Sequence, residues 1–113
     1  MRLPNADRAI VDDAKVRDYL LSPDHPVGRS KARFFNALGF QQAEWPTLRD
    51  ALRKFACNVD AEPEEANAFG QKYTVSGTLE GPAGRAATIV TVWIVLQGED
   101  VPRLVTAYPG EGS

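Results

Sequence analysis

Cysteine and histidine each occur once in this chain of 113 residues, as Cys57 and His25. One cysteine forms no internal disulfide, and a reducing compartment suits such a chain. One cysteine with one histidine is too little for a structural zinc site, so no metal and no cofactor is expected. Apolar runs are short, and none approaches the roughly 20 residues a membrane span requires. The opening "MRLPNADRAIVDD" lacks the basic-then-apolar layout of a signal peptide. These features lead to the expectation of a cytoplasmic protein, or of a domain cut from something larger. Known catalytic fingerprints are missing too. There is no G-x-S-x-G elbow, no Rossmann glycine pattern and no Walker A spacing. The acidic stretch near residue 62 lacks calcium-loop spacing.

What is present fits a soluble globular chain. The hydrophobic fraction is 43% and the charged fraction 25%. The length is that of a single domain, 1–113, large enough to bury a core without staples. The net charge of −2 argues against a general nucleic-acid coat. Its distribution is uneven. Residues 29–54 carry six cations against two anions, and residues 55–71 carry four anions and no cation.

The hydrophobic period changes along the chain. Residues 1–70 read as helices. In "VDDAKVRDYLLSPDHP", Val16, Tyr19 and Leu20 form one stripe, Asp12 or Asp13 is the expected cap, and Pro23 and Pro26 end the helix. "SKARFFNALGF" is a second helix, with Ser30 as the expected N-cap and Gly39 as a left-handed stop before Phe40. "EWPTLRDALRKFACN" is the third, with Pro46 in its first turn and Leu48, Ala51, Leu52, Phe55 and Ala56 on one face. An acidic connector follows.

From residue 70 the period is two. "QKYTVSGTLEG", "RAATIVTVWIVLQG" and "VPRLVTAYP" read as strands joined by the turns "GPAG" and "QGED". Short turns make an antiparallel meander. The expected class is α+β, with N-terminal helices packed on one face of a C-terminal antiparallel β-meander of three or four strands. On the middle strand, Val90, Val92, Ile94 and Leu96 make the more apolar face and are expected to point to the core. A regular last strand directs Arg103 away from Thr106 and Tyr108, so a bulge is needed to bring the three together.

The residues fit for chemistry cluster at two places. "HPVGRSKARFF" sets His25, Gly28, Arg29, Ser30 and Lys31 at a helix start, where amide groups and a partial positive charge attract anions. Gly28 would let the backbone approach a ligand. Lys31 is the expected phosphate clamp, with Arg29 and Ser30 as substrate-binding neighbours. His25 is the candidate acid or base. Thr106 and Tyr108 on the last strand offer hydroxyl donors, Arg103 a bidentate phosphate contact, and Trp93 a surface for base stacking.

"SPDHPVGRSKARFF" and "TVWIV…PRLVTAYP", within a pattern that runs nearly the whole chain, resemble a family of small bacterial domains of unassigned function. That family is distantly similar to the barnase, EndoU, colicin and RelE group of ribonuclease toxins. The resemblance implies helices followed by a small antiparallel sheet. It also implies a metal-independent endoribonuclease acting on RNA through 2′-hydroxyl attack, with His25, Lys31, Thr106 and Tyr108 as its working groups. The partner implied is an antitoxin, immunity or toxin protein. The alternative is a non-catalytic protein-binding module, such as the neutralising partner of a toxin–antitoxin pair. This chain is mildly acidic, whereas free ribonuclease toxins are often basic.

Overall fold

The computed structural model describes residues 1–110. Helices come first and strands after. Helix α1 runs over Asp13–Lys15 and widens into a π-helical turn over Val16–Leu20. Helices α2 (Arg29–Ala37) and α3 (Trp45–Asn58) follow. Short 3₁₀ turns at Ala6–Arg8 and Gln42–Glu44 precede α1 and α3. The strands are β1 (Ala61–Pro63), β2 (Gly70–Glu80), β3 (Ala86–Leu96) and β4 (Arg103–Pro109), in the antiparallel order β1-β2-β3-β4. The α+β class and the meander are as the periodicity predicts. The first strand is the exception. Three residues of the acidic connector pair with β2, Ala61 opposite Val75, where the sequence reads as a connector. A strand this short carries no usable period.

The helix ends follow local chemistry. Gly39 has φ +103°, the left-handed conformation that an L side chain resists. The Gly39 N–H donates to the Asn36 carbonyl and the Phe40 N–H to that of Phe35, so both last-turn carbonyls are satisfied. Phe40 then folds back edge-on to Phe35, ring centroids 6.3 Å apart, and both are buried. Helix α3 buries Leu48, Leu52, Phe55 and Ala56, each large side chain stabilising the fold by roughly 1.5–3 kcal/mol. The N-termini differ from expectation. Gly28, and not Ser30, precedes α2, and neither the Asp12 nor the Ser30 side chain caps a helix.

One contiguous core lies between the helices and the sheet. Its sheet side is formed by Ile89, Thr91 and Trp93, all fully buried, and the more apolar set Val90, Val92, Ile94 and Leu96 lies on the other face. The reason is a local hydrogen-bond pair that cancels the polarity of the chosen face. The Trp93 indole N–H donates to Thr91 Oγ1 at 2.8 Å, and that hydroxyl donates to the Val75 carbonyl at 2.9 Å. With those groups satisfied, burying the large indole outweighs burying a smaller aliphatic.

The N-terminal segment determines where α1 sits. Ile10 pairs in parallel with the start of β4: its N–H donates to the Pro102 carbonyl, and its carbonyl accepts from the Leu104 N–H. Half a turn later the chain enters α1, which therefore runs beside the open edge of β4. Among the described residues no helix is long and apolar enough to cross a membrane.

Candidate functional site

Between α1 and the edge of β4 lies an open cleft of about 810 Å³. Tyr19, Lys15, His25 and Thr106 line it, with Val105 and Val27 as apolar walls and Asp12 and Asp18 at the rim. Tyr19 is the centre of the arrangement. It lies in the π-helical turn, in which the Leu21 N–H bonds to the Val16 carbonyl. That extra residue in the turn lets Val16, Leu20 and Leu21 all enter the core while Tyr19 stays half-buried at its margin.

The Tyr19 hydroxyl is 3.1 Å from Thr106 Oγ1. Two ammonium groups flank the ring, Lys15 Nζ at 5.2 Å and Lys31 Nζ at 5.5 Å from its centroid. The His25 ring meets it edge-on at 5.0 Å. Burial pushes the Tyr19 phenol up. The hydrogen bond with Thr106 and the nearby Lys31 and Lys15 ammonium groups outweigh that, so the phenol is held below its usual value. The carboxylate of Asp18 is taken up by Arg17 at 2.9 Å, which holds it below the usual carboxylate range.

His25 is held by the backbone. Its Nδ1 accepts from the Val27 N–H at 3.0 Å and the Gly28 N–H at 2.9 Å. A ring nitrogen that accepts carries no proton, so the proton is on Nε2. In this arrangement the Nε2–H of His25 is its remaining donor. Two amides of this loop, those of Val27 and Gly28, are thereby occupied by His25. Gly28 is explained differently as well: a Cβ there would collide with the Tyr19 carbonyl oxygen. The glycine admits the chain of α1, not a ligand.

The last strand contains the bulge that the chemistry needs. Thr106 pairs with Val92 and Leu104 with Trp93, leaving Val105 as the extra residue. Arg103, Thr106 and Tyr108 then stand opposite Ile94, Val92 and Val90, on one side of the ladder. Only Thr106 lines the cleft. Arg103 forms an ion pair with Glu99 at 3.1 Å, and Tyr108 is exposed outside the cleft walls. Trp93 is 0% exposed, so no base can stack on it, and its place is in the core. Ser30 is exposed, and Arg29 lines a separate groove beside α2.

The structure therefore joins His25, Lys31 and Thr106 around Tyr19 and Lys15, two residues that sequence reading assigned no function. Tyr19 had an apolar-stripe position, which explains its burial and hides its hydroxyl. The i,i+4 spacing of Lys15 and Tyr19 on one helix face was the available signal.

Residues 2–111 match the model of a domain of unknown function, DUF6883. The chain belongs to the DUF6883 family. No curated protein matches it. Among solved structures, this DUF6883 chain is similar to a chain of a contact-dependent growth inhibition toxin–immunity protein complex from Klebsiella pneumoniae 342. Identity is 20%, the TM-score is 0.69, and the match covers 95% of this chain and 97% of that one. At that identity the two share a fold. Among the described residues of the DUF6883 chain, no group of three or more His, Cys, Asp or Glu side chains is placed to hold a metal ion.

Proposed function

We propose that this chain is a toxin-type endoribonuclease that cleaves RNA by attack of the 2′-hydroxyl on the adjacent phosphate. The observation that carries the reading is the meeting of Tyr19, Lys15, Thr106 and His25 at one open cleft, with the Lys31 ammonium beside the Tyr19 ring. Tyr19, its phenol lowered by the flanking cations, takes the proton of the 2′-hydroxyl. Thr106 donates to the phenolate and keeps it aimed. The O2′–P bond forms as the P–O5′ bond breaks, and the departing O5′ takes a proton from the Lys31 ammonium. Lys15 and the His25 Nε2–H stabilise charge on the phosphoryl oxygens. A chain of the same fold belongs to a toxin–immunity protein complex, which supports a place in such a system.

The test is incubation of the purified chain with mixed RNA. Cleavage products ending in 2′,3′-cyclic phosphate are expected, lost in Tyr19→Phe and Lys31→Ala. An intact RNA pool, or a Tyr19→Phe variant that cuts equally well, rejects the assignment.

A second reading draws on the acidic balance. The net charge is −2 and the sequence pI about 5.3, and Glu62, Glu64 and Glu65 are exposed around β1. These features suit a neutralising partner that binds a basic toxin. Forced expression separates the two: a ribonuclease arrests growth, whereas a neutralising partner is harmless and rescues cells from its toxin.

A further inference from the structure

Helix α2 opens with Arg29, Lys31 and Arg33 and has no acid in its first turn. Cations at this end oppose the helix dipole, and Arg29 and Arg33, four apart on one face, repel each other. Arg2, Arg8, Arg17, Arg49 and Arg103 each have a carboxylate within 4.0 Å. Among the described residues Arg29, Arg33, Arg53 and Arg85 have none, and of these only Arg29 and Arg33 share one helix face and one groove. Both are exposed, and with Asn36, Ala32 and Pro23 they line a groove of about 440 Å³. The groove thus offers two guanidinium forks and a side-chain amide. Arg49 and Arg17 stack on the Trp45 ring, but Arg29 and Arg33 have no such partner among the described residues.

We infer that the Arg29–Arg33–Asn36 groove is a phosphate subsite, taking a non-reacting phosphodiester of the RNA strand whose scissile phosphate lies at Lys31. This rests on the ribonuclease reading above. Lys31 is two residues from each arginine, about 200° round the helix, and its ammonium faces Tyr19. The groove and the Lys31 ammonium are therefore on opposite sides of α2, separated by about one helix diameter, ~10–12 Å. A strand crossing the start of α2 reaches both. A dinucleotide, with one bridging phosphate, serves Lys31 alone. Two bidentate guanidiniums suit a phosphodiester better than ammonium groups would.

The experiment uses the full chain and the double variant Arg29→Ala/Arg33→Ala. Binding of a fluorescent 2′-O-methyl RNA oligonucleotide, which cannot be cut, is followed over a salt series. Cleavage of a dinucleotide and of a longer RNA is followed in parallel. The double variant is expected to lose about 0.7 from the slope of log affinity against log salt, for one single-strand phosphate contact. It should also lose activity on the long RNA while keeping it on the dinucleotide. An unchanged slope with normal cleavage by both proteins overturns the subsite and leaves the ribonuclease. Arginine-dependent binding with no cleavage by the wild-type chain supports the groove and rejects the ribonuclease. No binding by the wild-type chain rejects both. Equal losses on dinucleotide and long RNA overturn the subsite, because they place the arginines at the reacting phosphate.

Discussion

The hydroxyl of Tyr19 and that of Thr106 lie 3.1 Å apart across 87 residues of chain. One comes from a widened helical turn at the start of the chain and the other from a bulged strand at its end. Both local irregularities have the same consequence: each turns a side chain away from regular packing and towards the cleft.

Tyr19→Phe removes the proposed base and leaves the ring in place. RNA cleavage is expected to fall by about 10²–10⁴-fold, the usual worth of a positioned base. The urea midpoint should shift by no more than the ~0.5–1.5 kcal/mol of one hydrogen bond. Single-turnover cleavage and equilibrium unfolding on the same preparation separate the two effects.

The rate should climb with pH towards the Tyr19 pKa, because the deprotonated phenol is the working form. Burial raises that pKa, and the Thr106 hydrogen bond and the nearby Lys31 and Lys15 ammonium groups lower it further than burial raises it. Removing Thr106 or Lys31 leaves burial less opposed. Lys31→Ala and Thr106→Val therefore both move the rising limb of kcat/KM to higher pH. Lys31→Ala also lowers the plateau, by about 10²–10³-fold, as for loss of one transition-state donor. A limb that stays in place in both variants assigns the titration to another group.

His25→Ala leaves the Val27 and Gly28 amides without their acceptor. A loss of about 1 kcal/mol is expected, the size of a missing helix cap. His25→Asn, which can accept from the same amides, should restore most of it. Thermal unfolding of the two variants gives the comparison, and equal destabilisation by both would remove the capping role.

Thr91→Val is nearly isosteric, but it strands the Trp93 indole N–H and a carbonyl of β2 in the core. Two buried polar groups lose a partner, at about 1–3 kcal/mol each. Chemical denaturation should show a clear fall in midpoint, with Trp93 fluorescence changed in the native baseline. A neutral outcome would mean the indole finds another acceptor.

Gly28→Ala places a methyl group against the Tyr19 carbonyl, where no space exists. Backbone must move, at a cost of about 1–3 kcal/mol typical of overpacking. Since the displaced atom belongs to Tyr19, cleavage should fall more than the stability change explains. Activity measured well below the melting transition checks this.

The elements that were legible share one property: each is specified within a few residues. Leu48, Leu52 and Phe55 mark α3 by period, Gly39 marks the end of α2, and Pro46 sits in the first turn of α3 as a proline can. His25, Lys31 and Thr106 were legible as polar groups near helix and strand ends. The core face of β3 was not, because Thr91 is acceptable inside only through its bonds to Trp93 and Val75, two partners that no count of apolar residues includes. Tyr19 was read as packing. Trp93 and Arg103 read as substrate contacts and Tyr108 as a catalytic hydroxyl donor; they lie in the core, in an ion pair with Glu99 and on open surface.

Local pattern by itself determined the helix-then-strand order, the meander and the basic start of α2, since backbone sterics, period and capping act between near neighbours. Which face of the sheet is buried, which nitrogen of His25 holds the proton, and that Tyr19 meets Thr106 were decided only in three dimensions. Those outcomes depend on hydrogen-bond partners and steric room supplied by chain segments far apart in sequence, and no short window of residues contains both sides of the contact.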